Sequence, residues 1–220
     1  MFNPPTKSCS LCPRLVEFRC ANQNKFPQFY NGPVPSFGEL DAQLLIVGLA
    51  PGLKGANATG RPFTNDYAGD LLYATLLKFG FAKGHYGKTA NDGLQLVNCR
   101  ITNSVRCVPP ENKPTPEEQK TCQPFIRAEI AAMPNLRFVL VLGLIAHNAA
   151  LDTFGVKKST YKFAHGAVHE LPNGIKLYDS YHCSRYNTQT KRLTTEMFEG
   201  VVELISKNLI IADYKMRSFS

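Results

Sequence analysis

"QLLIVGLAPGLKGANATGRPFTND" occupies residues 43–66 and decides how the rest of the chain is read. Its first third is a continuous apolar run rich in branched side chains, as a strand buried on both faces of a parallel sheet requires. A glycine-rich loop follows, and Gly55 and Gly60 stand at the spacing of a phosphate-binding loop. A nucleotide loop would continue with Lys and then Ser or Thr. Here Arg61 and Pro62 take those places. Pro62 has no N–H to offer a phosphate and biases Arg61 toward extended backbone. The loop is therefore built to hold something other than a nucleotide phosphate.

Working outward, strands alternate with helices. "AGDLLYATLLKFG" (68–80) has Leu72, Thr75, Leu76 and Phe79 at helical spacing and stops at Gly80. "LQLVNCRITNSV" (94–105) alternates as a second strand. "TPEE" predicts a helix start, with Thr115 as cap, Pro116 at the first helical position and Glu118 closing a capping box. "RFVLVLG" (137–143) is a third strand, followed by a helix from about Leu144 to Phe154. A hairpin-like segment turns at Asn173-Gly174, and its second arm becomes the last core strand. A final helix from about Leu193 carries Leu193, Met197, Val201 and Leu204 on one stripe. We expect one domain over residues 1–220: an α/β fold with a mostly parallel sheet covered by helices on both faces. Ligands bind such sheets beyond the carboxyl ends of the strands. The loops after "LLIVG", "ITNSV" and "LYDSYH" lie there.

Twenty-five Lys and Arg against 17 acids give a formal charge of +8, which favours a polyanionic partner over mere solubility only weakly. No apolar run is long enough to cross a bilayer, and "MFNPPTKSCSLC" lacks the pattern of a signal peptide. The chain reads as cytoplasmic, with no membrane partner. Seven cysteines do not make a complete disulfide framework. Cys9 and Cys12 are spaced so that both sulfurs reach one metal centre. Cys107 and Cys122 flank a proline-stiffened segment that lets them join the pair. Four such thiolates suit structural zinc or an iron–sulfur cluster. Cys107 and Cys122 also fit as small core residues.

Five segments stand in the order seen in uracil-DNA glycosylases: "CSLCPRLVEFR", "GPVPSFG", "GLAPGLKGANATGRPFTNDYAG", "ITNSVRCVPPENKPTPEEQKTC" and "SYHCSRYNTQTKRLT". Together they resemble family 5, the "b" type, from about Cys9 to Met197. The resemblance implies a three-layer α/β/α sandwich and a [4Fe–4S] cluster on Cys9, Cys12, Cys107 and Cys122. It also implies removal of uracil, hypoxanthine and other deaminated bases from single- or double-stranded DNA, by a chain acting as a monomer. Such a cluster carries a charge of about −2, leaving the whole near +6. We expect it to be architectural, tying the N-terminal hook to the segment that carries Asn112.

In that family the glycine-rich loop walls a pocket for a base flipped out of the stack, where its glycosidic bond can be reached. Gly48 and Ala50, in "GLAPG", would let the backbone approach the base, and Phe63 would give it a flat face. Cleavage builds positive charge on the sugar and negative charge on the base. Many relatives hold the water with an Asp or Asn in the first motif, but "GLAPG" offers neither. The resemblance therefore assigns catalysis to Asp66, a residue that equally fits an N-cap, with Asn112 as a second catalytic position. His182 opens the last motif and would donate to the base carbonyl. Asn103 matches a position that reads uracil through a side-chain amide, which offers both donor and acceptor. Arg185 and Asn187, beside Tyr186, Gln189 and Lys191, suit phosphate contacts and the gap left by the base. No Lys is placed to form a Schiff base, Lys54 being the nearest in the loop, so the expected enzyme is monofunctional. The alternative is a metal-stapled DNA-binding module whose pocket does no chemistry.

Overall fold

The computed structural model describes residues 2–217, with side chains through 211. In chain order the elements are α1 (Pro13–Lys25), β1 (Leu44–Gly48), α2 (Ala56–Thr59), α3 (Tyr67–Lys78), β2 (Ala82–Lys83), β3 (Gln95–Leu96) and β4 (Cys99–Asn103). There follow α4 (Pro116–Ala131), β5 (Phe138–Leu142), α5 (Leu144–Phe154), β6 (Val168–Glu170), β7 (Lys176–Ser180), α6 (Arg185–Gln189) and α7 (Thr195–Arg217). The central sheet has the order β4-β1-β5-β7-β6. Its first four strands are parallel, and β6 returns antiparallel on β7 through the turn at Gly174.

Every residue of β1, β4 and β5 is buried; β1 and β5 are accordingly apolar throughout, whereas β4 directs Arg100 and Thr102 to a buried carboxylate. Two cores result. On one face Leu44, Ile46, Ile101 and Leu140 pack with Leu72, Leu76, Phe198 and Val202 of α3 and α7. On the other, Leu45, Val47, Val139 and Val141 pack with Ile126 of α4 and Ala146, Ala150 and Leu151 of α5. This is the expected three-layer sandwich, and the capping box of Thr115 and Glu118 starts α4 as read.

Two expectations need correction. Residues 94–105 are not one strand: β3 pairs with β2 in a separate ribbon, and only β4 joins the sheet. Asn98 breaks the run at φ +49°, with its Oδ1 accepting from the Gln43 N–H at 2.8 Å. The stripe assigned to the last helix holds at Met197 and Val201, which pack into the core, but not at its two ends. Leu193 lies before α7, its N–H bound to the Asn187 carbonyl, so it does not set the helix face. The buried face runs through Phe198, Val201, Val202, Ile205 and Leu209, and Leu204 is 40% exposed.

Behind the sheet lies a charged core. Glu129 of α4 is fully buried and pairs with Arg100 at 2.6 Å and Arg106 at 2.5 Å. A second carboxylate oxygen contact comes from the Thr102 hydroxyl at 2.9 Å. A lone buried carboxylate would be costly, but three donors on three partners satisfy this one and fasten α4 to β4. Another long-range network joins α5 to β7. His147 Nδ1 lies 2.7 Å from Asp179 Oδ1, and its Nε2 lies 2.9 Å from the Tyr161 carbonyl. His169 Nε2 contacts the other Asp179 oxygen at 3.1 Å.

Both ring nitrogens of His147 face acceptors, so the ring serves best with both protons. Burial works against the charged form, but the hydrogen bond and charge of Asp179 outweigh it and hold the pKa above the ordinary histidine value. A raised folded pKa contributes stability that is complete below about pH 6.5 and is lost as pH rises through the folded value. We expect the denaturant midpoint to fall over that window, and His147→Gln to flatten the fall. Chemical denaturation at a series of pH values measures both.

Candidate active site

Three strand ends converge on one cavity of about 350 Å³. Leu49, Ala50, Pro51 and Gly52 come from the loop after β1, Asn103 from the end of β4, and His182, Ser184 and Arg185 from the segment after β7. Phe63 and Asp66 enter from the glycine-rich loop, and Asn112 from the turn at Pro110–Asn112. Ala50, Phe63, Asp66, Asn103, Asn112, His182 and Arg185 line this cavity as expected, whereas Gly48, Tyr186, Asn187, Gln189 and Lys191 do not.

Gly48 is directly opposite Asn103 in the β1–β4 register. A Cβ there would stand 2.4 Å from Asn103 Oδ1 and 2.6 Å from the Phe63 ring, so only glycine permits both side chains. Phe63 takes φ +53°, unusual for an aromatic residue, and lies 6.1 Å from the His182 ring at a 34° tilt. Strain at a cavity wall marks a residue held for what it faces. Asn65, Glu111 and Asn112 are also left-handed, so both loops around the cavity share this feature. Asn187 Nδ2 donates to the His182 carbonyl at 2.8 Å, turning that amide inward. At the rim, the Arg185 guanidinium lies 5.3 Å from the Tyr67 ring centre, and Tyr186 is 70% exposed.

Asp66 is both cap and cavity residue. Its Oδ1 accepts from the Gly69 N–H at 2.8 Å, which starts α3. Burial raises its pKa, the Gly69 bond opposes that, and Asp70 adds to it. Gly55 permits the approach, since a Cβ there would stand 2.8 Å from the Asp66 side chain. Burial lowers the pKa of His182, which keeps its imidazole neutral. The Oδ1 of Asn103 is buried without a hydrogen-bond partner, an acceptor aimed at something else. Arg61 is committed elsewhere, holding Asp92 through two bonds of 2.8 and 2.7 Å among the rings of Phe37, Tyr73 and Tyr86. That occupation explains why the loop cannot act as a phosphate cradle. No lysine lines the cavity among the described residues.

A second hollow is apolar. Cys9, Cys12, Cys107 and Cys122 all line it, with Leu15, Val105 and Phe125 around them. The helix α1 was not read from the sequence, although Pro13 at its first position is a usable signal. Arg14 of α1 binds both Glu118 oxygens at 2.7 Å and the Lys113 carbonyl at 3.1 Å, clamping the segment next to Asn112. Four thiols around one apolar hollow make a donor set that suits an iron–sulfur cluster, whose irons take thiolate ligands. Burial, with help from neighbouring thiols, pushes Cys12 up to about 11 and Cys107 up to about 12. Such thiols ionise at neutral pH only when a metal centre supplies positive charge.

A family model described as "Uracil DNA glycosylase superfamily" matches residues 35–205. A type-5 uracil-DNA glycosylase of Thermus thermophilus is 45% identical over 89% of this chain and 91% of its own length. Proteins of the same name from Mycobacterium tuberculosis and Pyrobaculum aerophilum are 40% and 37% identical. They cover 88% and 89% of this chain, and 75% and 86% of their own lengths. The match includes the segments that supply the cavity and its three strand ends, and the chain belongs to the uracil DNA glycosylase superfamily, among its type-5 members.

Proposed function

We propose that the protein is a monofunctional DNA-repair glycosylase that flips uracil out of DNA and hydrolyses its N-glycosidic bond, leaving an abasic site. The observation that carries this reading is the single cavity joining Phe63, Asp66, Asn103, Asn112 and His182. A base stacked on Phe63 presents its edge to Asn103. Uracil offers a ring N–H to the unpartnered Oδ1 and a carbonyl to the amide N–H. Hypoxanthine has the same donor–acceptor pair, so it is the second substrate of this reading. Cytosine reverses the pair and is rejected.

When the glycosidic bond breaks, its electron pair stays on the base. Neutral His182 donates a hydrogen bond to the base carbonyl as negative charge grows there. The Asp66 carboxylate faces the opposite, developing positive charge and orients a water, with Asn112 as its second contact. Water oxygen bonds to the sugar carbon, one water proton is released, and the base leaves and takes up a proton. Arg185 and the exposed Tyr186 contact the backbone and the vacated stack. Asn187 acts by holding His182. The enzyme works as a monomeric single domain in the cytoplasm, on either strand form of DNA.

Cys9, Cys12, Cys107 and Cys122 would hold a [4Fe–4S] cluster. When bound, the cluster supplies a crosslink between the N-terminal hook and α4. Through that crosslink and Arg14, the loop carrying Asn112 keeps its place.

Base release from labelled oligonucleotides tests the reading, with iron and acid-labile sulfide measured on the same preparation. Abasic sites from uracil and hypoxanthine substrates are expected. Tight DNA binding by iron-loaded protein without base release would establish the non-catalytic module instead. Asn103→Ala leaves the base edge unread and is expected to slow uracil release about ten- to hundredfold, equivalent to about 1–3 kcal/mol. Single-turnover rates on uracil and hypoxanthine should fall together, because both bases use the same amide.

A further inference from the structure

Arg19 of α1 is only 7% exposed, yet among the described residues no carboxylate lies within ion-pair distance of it. Its two contacts are both to cysteines of the apolar hollow. Nη1 lies 3.9 Å from Cys107 Sγ, and Nη2 donates to the Cys9 carbonyl at 2.8 Å. An isolated buried guanidinium is expensive, and arginine cannot shed its proton to escape that cost. The buried acid Glu129 is already shared by Arg100 and Arg106. Arg106 also lines the hollow alongside Cys122. Glu129 is thus committed to two guanidiniums, and Arg19 has no carboxylate within ion-pair distance among the described residues. The unmatched positive charge calls for an anion, and the cysteine hollow is where these contacts lead.

We propose that Arg19 is the internal counter-cation of the metal centre, a positioning residue that neutralises the cluster's charge and sets its reduction potential. This rests on the iron–sulfur reading above. A cluster on four thiolates carries about −2, and its potential follows local charge, hydrogen bonds and exposure. A cation fixed against one ligand sulfur favours the reduced, more negative state. The same guanidinium binds the backbone of Cys9, so it also sets the entry of the N-terminal hook.

The test compares Arg19→Gln, Arg19→Met and Arg19→Lys in full-length, anaerobically reconstituted protein. Gln retains a donor for the Cys9 carbonyl without the charge, Met retains only bulk, and Lys retains the charge. The readouts are iron content, the cluster midpoint potential by redox titration, and the rate of iron loss to a chelator. Gln and Met are expected to shift the midpoint to more negative values and to lose iron faster, while Lys stays near wild type. If Gln and Met load too little iron for a titration, normal loading of Lys supports the charge role. A midpoint and iron-loss rate for Gln equal to wild type would overturn it. So would failure of Lys alongside the other two, which would make Arg19 a packing residue. Wild-type protein that takes up no iron overturns the cluster reading itself, a result distinct from any difference among the variants.

Discussion

Asp66→Asn is expected to slow uracil release about 10²- to 10⁴-fold while leaving the fold as stable as wild type or more so. The two effects separate because the residue has two jobs. As a cap, Asn accepts from the Gly69 N–H about as well as Asp does. As an anion, it is irreplaceable by an amide. The half-buried carboxylate has a pKa raised first by burial. A raised folded value means the ionised form costs stability above that pH, so neutralising the group by substitution relieves the cost. The acid limb of the pH–rate profile should lie above the usual carboxylate range in wild type and vanish in the variant. Single-turnover rates and thermal melts on the same samples decide the point. Unchanged base release in Asp66→Asn would leave Asp66 as a helix cap and nothing more.

The other large effect is expected at His182, where Ala should lower the single-turnover rate about 10²- to 10³-fold. The ring lines the cavity beside Phe63, and burial keeps it neutral. A neutral donor does not lose its function through the ordinary histidine titration. The wild-type rate should therefore be flat through neutral pH, with no limb near about 6.5. His182→Gln keeps a donor on a shorter reach and should recover part of the loss. A steep rise in rate as pH falls through that range would show instead that the imidazolium is the active form.

Much of this was legible in the sequence because it depends on local chemistry. The apolar runs at 44–48 and 138–142 can only be buried strands, and Thr115, Pro116 and Glu118 specify a helix start whatever surrounds them. Arg61 and Pro62 were enough to rule out a phosphate loop. Asp66 before a helix was visible both as cap and as candidate acid; in the structure it caps α3 and also lines the cavity. Less was legible where a left-handed residue interrupts a pattern. Nothing in the alternation of 94–105 reveals that Asn98 turns at φ +49° and divides β3 from β4.

Sequence by itself determined the order of strands, helices and glycine loops, the family resemblance, and the residue types available for chemistry. Only the tertiary structure decided which of them meet. Gly48 serves the site because parallel pairing sets it across from Asn103, in a register with no local signature. His147 reaches Asp179 from 32 positions away, and Arg19 reaches Cys107 from 88. Periodicity reports which face of an element is apolar. It carries no information about which buried charge lies beside which, because that depends on how separate elements stack.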